Sequence, residues 1–135
     1  MVLLVLLAAS AAGLVWQARQ GKMSQGKVRS VTAEDGLGHE VQAFGVELGE
    51  RATLMQFSTA FCAPCRATRT LLSHLAATEP GVVHLEVDAE KHLELVRRLD
   101  VRKTPTTLVL DRQGREVRRA TGPPRKADVL AALPV

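Results

Sequence analysis

Phe61-Cys62-Ala63-Pro64-Cys65-Arg66 is the stretch on which the reading of this chain turns. It holds both cysteines of the sequence, three positions apart. An apolar run, Ala52-Thr53-Leu54-Met55-Gln56-Phe57, precedes it, and a helical pattern from Ala67 to Ala77 follows. Cys62 is therefore expected where a buried strand hands over to a helix. The unpaired N–H groups and positive dipole end of that helix favour thiolate over thiol. Cysteines at this spacing close a small ring by disulfide formation and open it again by exchange with another dithiol. The spacing says little alone, but at a strand-to-helix junction it is a redox signal.

Composition narrows the alternatives. Hydrophobic residues make up 46% of the 135, enough for a core, but aromatics only 3%, so the core is expected to be built from Leu, Val and Ala. The formal charge of +4 is concentrated in two places: Arg19, Lys22, Lys27 and Arg29, and then Arg112, Arg115, Arg118, Arg119, Arg125 and Lys126. Basic residues are not interleaved with aromatics and no reading helix is visible, which argues against nucleic acid as a partner. The late arginines read as a solvated face. A zinc site needs two further ligands, and His39, His74, His84 and His92 show no ligand spacing, so no metal is expected. As a structural staple the pair would remove little entropy from the unfolded chain, because the loop it closes is short.

The run from Met1 to Ala18 carries no charged side chain. Eighteen helical residues span about 27 Å, close to a hydrocarbon core of ~30 Å. Trp16 suits an interfacial belt, and Arg19 and Lys22 suit a head-group flank. Residues 1–18 are accordingly read as a single transmembrane anchor, residues 19–27 as a linker, and residues 28–135 as the folded domain. A cleaved signal peptide is the rival, with Ala9-Ser10-Ala11 as a small-residue cleavage site, but the positive n-region is missing and the apolar run continues through Leu14-Val15-Trp16. A buried core helix is the plain structural alternative. Basic residues follow the apolar run and none precedes it, so the positive-inside rule places the domain on the cytoplasmic side; an extracytoplasmic or secreted domain is the alternative.

Downstream, Val28 to Thr32 reads as a short strand and Thr32-Ala33-Glu34-Asp35 as a helix start. Gly36 to Glu50 suggests a short irregular helix or a loop. Ala52 to Ser58 is expected to be a central strand, apolar on both faces. Cys65 to Thr78 is a predicted helix with Leu71, Leu72 and Leu75 on one face. Val82 to Val87 is a strand followed by Asp88. Ala89 to Leu99 is a helix with Leu93, Val96 and Leu99 as its stripe. Thr106 to Leu110 is a strand, Asp111-Arg112-Gln113-Gly114 a hairpin turn, Arg115 to Ala120 the returning strand, and Arg125 to Leu133 a last helix. Strand–helix–strand crossovers predict parallel neighbours with helices on both faces, and the late hairpin adds an antiparallel strand.

These elements and residues resemble the thioredoxin family. The matching residues are Leu54-Met55-Gln56-Phe57, Phe61-Cys62-Ala63-Pro64-Cys65, Val87-Asp88, Thr104-Pro105-Thr106, Asp111-Arg112-Gln113-Gly114 and Gly122, in the family's order and at its usual separations. The likeness runs from about Val28 to Leu133. It implies an α/β thioredoxin fold: a central mixed sheet of four to five strands with helices on both faces. It also implies a cis peptide at Thr104–Pro105, a geometry accessible at low cost only before proline. Three departures stand out. The family's Trp before the first cysteine is Phe61, its buried Asp beneath the second is Gln56, and the Lys paired with that Asp is His84. Gln56 cannot titrate. His84 then reads either as a substitute base or as a partly buried strand histidine. The residues between the cysteines, Ala63-Pro64 in place of Gly-Pro, are expected to tune the potential.

The resemblance implies a thiol–disulfide oxidoreductase with Cys62 as nucleophile and Cys65 as the resolving thiol. Arg66 is placed to assist thiolate formation, and Phe61, Ala63, Pro64, Thr104 and Pro105 line the substrate groove. The redox-active pair itself is the expected cofactor, since no flavin or nicotinamide fingerprint is present. The expected partners are substrate protein disulfides or dithiols, a separate reductase or oxidant, and the membrane through the N-terminal helix. A redox-inert adaptor of the same fold, binding a partner at the membrane, is the reading from another class. A metal chaperone using Cys62 and Cys65 is a third, and it lacks a suitably spaced histidine.

Overall fold

The computed structural model describes residues 36–135, residues 23–25, and residues 1, 10, 13 and 15. The expected anchor (1–18), the expected strand Val28 to Thr32 and the helix start at Thr32 lie outside the described residues, wholly or nearly so. Among the described residues, no helix is long and apolar enough to cross a membrane.

Among the described residues five strands form one sheet. They are β1 (Met23–Gln25), β2 (Ala52–Ser58), β3 (Val82–Asp88), β4 (Thr106–Leu110) and β5 (Glu116–Thr121), in the spatial order β1-β5-β4-β2-β3. The helices that accompany them are α1 (Gly38–Ala43), α2 (Ala63–Thr78), α3 (Leu93–Arg98) and α4 (Lys126–Ala132). β2 is flanked on both edges and every one of its residues is buried, which accounts for its lack of apolar–polar alternation. Met55 and Phe57 point into the layer covered by α1 and α3, with Leu85, Val87, Leu108 and Leu110. Ala52 and Leu54 point to the other side, where Leu72 and Leu75 of α2 and Val129 and Ala132 of α4 close over them.

Three differences from the sequence reading have physical causes. The first strand lies at Met23–Gln25, inside the stretch read as a linker, and pairs antiparallel with β5. Its sequence, Met-Ser-Gln, has no alternation to betray it; only the partner strand defines it. Second, of the two crossovers only β2–α2–β3 gives parallel neighbours. The connection through α3 returns the chain on the far edge of β2 as an antiparallel strand, β4. Third, α3 begins at Leu93, four positions later than expected. Asp88 explains this: its Oδ1 accepts from the Glu90 N–H at 2.9 Å, and its carbonyl oxygen accepts from the Lys91 N–H at 3.2 Å. These bonds hold residues 88–91 in a turn that competes with helix. Leu93 therefore sits at the first helical position and is exposed, while Leu95, Val96 and Leu99 pack inward.

The end of the sheet remote from the cysteines is tied down by the β4–β5 hairpin. Asp111 accepts from the Gln113 and Arg115 N–H groups at 2.9 and 3.0 Å, and Gly114 sits at φ 79°. The Gly114 carbonyl then accepts the Leu37 N–H at 2.8 Å, at the start of α1. A Cβ on Gly114 would lie 2.8 Å from the Gly38 nitrogen, so both the backbone angle and the close approach demand glycine.

Candidate active site

Cys62 is the N-cap of α2, with φ −102° and ψ 99°. Cys65, one turn in, is joined to it by a disulfide with Cα atoms 5.2 Å apart. The cap is made by sulfur: Cys62 Sγ accepts from the Cys65 N–H at 3.2 Å, while the Cys62 carbonyl accepts from the Arg66 N–H at the same distance. A sulfur held there faces the amide groups that a helix leaves unpaired, the setting that stabilises a thiolate once the disulfide opens. Pro64 lies in the first helical turn, where a missing N–H costs nothing. The two sulfurs differ in access. Cys62 is partly exposed and Cys65 only 1% exposed.

Around them the expected groove residues take distinct positions. Phe61 is fully exposed and holds φ at 57°, in the left-handed region. That conformation costs an L-residue roughly 1–2 kcal/mol and here turns the ring out into solvent. Ala63 and Pro64 are exposed, Thr104 is half-buried and Pro105 buried. The Thr104–Pro105 peptide is cis. Thr59 and Thr104 share a hydroxyl contact at 3.0 Å, bringing the loop that leads into Cys62 beside the loop that leads into Pro105. The Gly122 N–H donates to the Pro105 carbonyl at 2.8 Å, anchoring that loop to the end of β5. Arg66 is exposed on the surface of α2.

Beneath Cys65 the structure assembles a polar cluster. Gln56 is wholly buried, and its Nε2 donates to the Cys65 carbonyl and to Ser58 Oγ, each at 2.9 Å. Its Oε1 lies 3.0 Å from His84 Nε2. His84 Nδ1 in turn meets Ser73 Oγ at 3.1 Å. Glu86 lies next to this cluster and accepts from Arg69 Nε at 2.7 Å. Burial is the main influence on His84 and pushes its pKa below the ordinary imidazole value; Glu86 opposes this and Arg69 reinforces it. The Arg69 guanidinium is held above its usual value by its hydrogen bond to Glu86. Gln56 and His84 were singled out in the sequence; Ser58, Ser73, Arg69 and Glu86 were not. They carry no motif, and only the parallel register Gln56↔Glu86 and Leu54↔His84 brings the β3 members alongside β2. Among the described residues no group of His, Cys, Asp and Glu is placed to hold a metal ion.

Comparison with known proteins places this geometry. The family model described as Thioredoxin matches residues 37–134. The chain is similar to thioredoxin H5 of Oryza sativa subsp. japonica, 35% identical over 60 residues, which cover 44% of each chain. It is similar also to the thioredoxin of Chlamydia trachomatis serovar D, 32% identical over 79 residues, covering 58% of this chain and 76% of that one. Among solved structures, Fasciola hepatica thioredoxin superposes with a TM-score of 0.56 at 23% identity, over 70% of this chain and 86% of the other, a likeness of fold. Against several curated relatives the chain spans half or less of their length, from 11% to 50%.

Proposed function

The chain belongs to the thioredoxin family, and we propose that it is a thiol–disulfide oxidoreductase that exchanges the Cys62–Cys65 pair with disulfides of substrate proteins close to a membrane. The observation that carries this reading is the asymmetry of the pair: a partly exposed sulfur capping a helix, bonded to a buried one a turn further on. In the reducing direction the Cys62 thiolate attacks one sulfur of a substrate disulfide. The substrate's S–S bond breaks, a Cys62–substrate mixed disulfide forms, and the first substrate sulfur leaves as a thiolate. Cys65 then attacks Cys62 Sγ, re-forming the intramolecular disulfide and releasing the second substrate sulfur. The chain has lost two electrons and the substrate has gained them, so a separate dithiol reductase must recharge it. Run backwards, the same steps oxidise a dithiol.

Phe61, Ala63, Pro64 and Thr104 supply the surface on which the substrate backbone docks, with Pro105 beneath it. The placement near a membrane rests on the apolar run Met1 to Ala18, and the cytoplasmic side on the basic residues Arg19 to Arg29 that follow it. The deciding experiment is insulin reduction by the full chain. Cys62→Ser should abolish turnover, and Cys65→Ser should accumulate a covalent complex with substrate that dithiothreitol dissolves. Full turnover by Cys62→Ser would refute the assignment of the nucleophile. For the location, a membrane-impermeant maleimide should leave Cys62 unlabelled in intact cells and label it after lysis; labelling of intact cells would place the domain outside.

A further inference from the structure

The layer between the sheet and α2 is apolar at one end and polar at the other, and the polar end lies under the disulfide. Gln56 can stand there in only one orientation. The Cys65 carbonyl has no proton to give, so the atom 2.9 Å from it must be the amide nitrogen, and Oε1 must face the other way. Oε1 accepts and cannot donate, so the proton of the 3.0 Å contact belongs to His84 Nε2. The neutral ring then has its lone pair on Nδ1, where it accepts from Ser73 Oγ at 3.1 Å. The bonds run with a single polarity, from Ser73 through His84 and Gln56 to Cys65. The charged groups near the ring are Glu86, on its own strand, and Arg69, on α2, which pull its protonation in opposite senses.

We propose that His84 is a positioning residue: its Nε2–H fixes the Gln56 amide, which holds the Cys65 carbonyl and the first turn of α2, and neither residue accepts a proton during exchange. This rests on the oxidoreductase reading and deepens it. Gln56 has no titratable group, and the basic lone pair of His84 faces Ser73, away from the sulfurs. The resolving step closes without them. The S–H bond of Cys65 and the bond from Cys62 Sγ to substrate sulfur break, the Cys62–Cys65 bond forms, and the proton leaves on the substrate thiolate.

The test uses the full chain in three forms: unaltered, His84→Leu and His84→Gln. The first measurement is the equilibrium constant of the Cys62–Cys65 pair with glutathione. A positioning role requires these contacts to hold the disulfide-closed state more tightly than the open one, so their loss in His84→Leu should move the constant at least threefold toward the dithiol. His84→Gln keeps an N–H for Gln56 Oε1 and should return within twofold of the unaltered chain. No shift in His84→Leu, a shift toward the disulfide, or an equal shift in both variants would overturn the proposal. The second measurement is substrate release from a preformed Cys62 mixed disulfide between pH 5 and 9. The profile should rise with a single thiol ionisation and keep its shape in His84→Gln. An inflection in the imidazole range that vanishes in His84→Gln would make His84 the base and overturn it. The profile of the unaltered chain stands even if His84→Leu does not fold. A chain that equilibrates with glutathione but neither reduces insulin nor oxidises a reduced protein dithiol would refute the oxidoreductase reading and leave the His84 comparison interpretable.

Discussion

Replacing Gln56 by Leu strands one end of a partly buried hydrogen bond, and replacing His84 by Leu strands the other. In Gln56→Leu the His84 Nε2–H loses its acceptor, and the Cys65 carbonyl and Ser58 Oγ lose a donor. Ser58 Oγ keeps a long contact to Glu86 at 3.5 Å, so the damage falls mainly on the histidine and the carbonyl. An unmatched buried polar group costs about 1–3 kcal/mol, which puts this variant at roughly 2–6 kcal/mol. In His84→Leu the Gln56 oxygen is left unmet while Ser73, on an exposed stretch of α2, turns to water; the loss is about 1–3 kcal/mol. The double variant strands neither end of the 3.0 Å contact. It should therefore lose less than the sum of the singles, with a coupling of at least about 1 kcal/mol, within the range found for residues in contact. The assay is urea unfolding of the four oxidised proteins at pH 7.5, above the ordinary imidazole range. Additivity to within about 0.5 kcal/mol, the behaviour of independent sites, would refute the contact on which the argument for His84 depends.

Other outcomes follow from individual residues. The folded-state pKa of His84 lies below its unfolded value, so the unfolded chain binds the extra proton first as pH falls. Stability from this group is fully present above about pH 6.5 and is lost as pH drops below that; thermal melts at pH 7.5 and 5 should show a larger drop for the unaltered chain than for His84→Gln. Phe61 has no burial to lose, so Phe61→Ala should leave stability within about 0.5 kcal/mol while raising the KM for a protein substrate. Phe61→Gly should stabilise by up to roughly 1 kcal/mol by relieving the left-handed φ, less the entropy glycine adds to the unfolded chain; circular-dichroism melts check both. Gly114→Ala combines a φ of 79° with a 2.8 Å approach to the Gly38 nitrogen and should cost at least roughly 1–2 kcal/mol, lowering Tm by several degrees.

What the sequence disclosed depends on how local the determinant is. Ala52–Ser58 and Thr106–Leu110 were legible to the residue because burial on both faces leaves an unbroken apolar or β-branched run bounded by turn residues. The disulfide was legible because two cysteines at that spacing before a helix have few other uses. Met23–Gln25 was not, since a three-residue strand takes its identity from hydrogen bonds to β5, nearly a hundred positions away. The start of α3 was misplaced because the side chain of Asp88 overrides a plausible helical stripe. The polar cluster shows both cases. Gln56 and His84 stood out as replacements for a family pair, whereas Ser73 and Glu86 look like ordinary surface residues until the β2–β3 register and α2 bring them in.

The inward face of α2 changes character along its length: Cys65 lies over the polar cluster, Leu72 and Leu75 over the apolar core with Val109 and Val129. One helix thus meets two different neighbourhoods. Trimming Leu72 or Leu75 to Ala should lower the melting temperature through a loss of about 2–5 kcal/mol while leaving the electronics of the cysteines alone. Changes at Gln56 or His84 act on the Cys65 carbonyl and on the stability of the fold together. The apolar half of the helix thus offers a handle on stability alone, whereas Gln56 and His84, on the strands beneath its first turn, tie the cysteines to the stability of the fold.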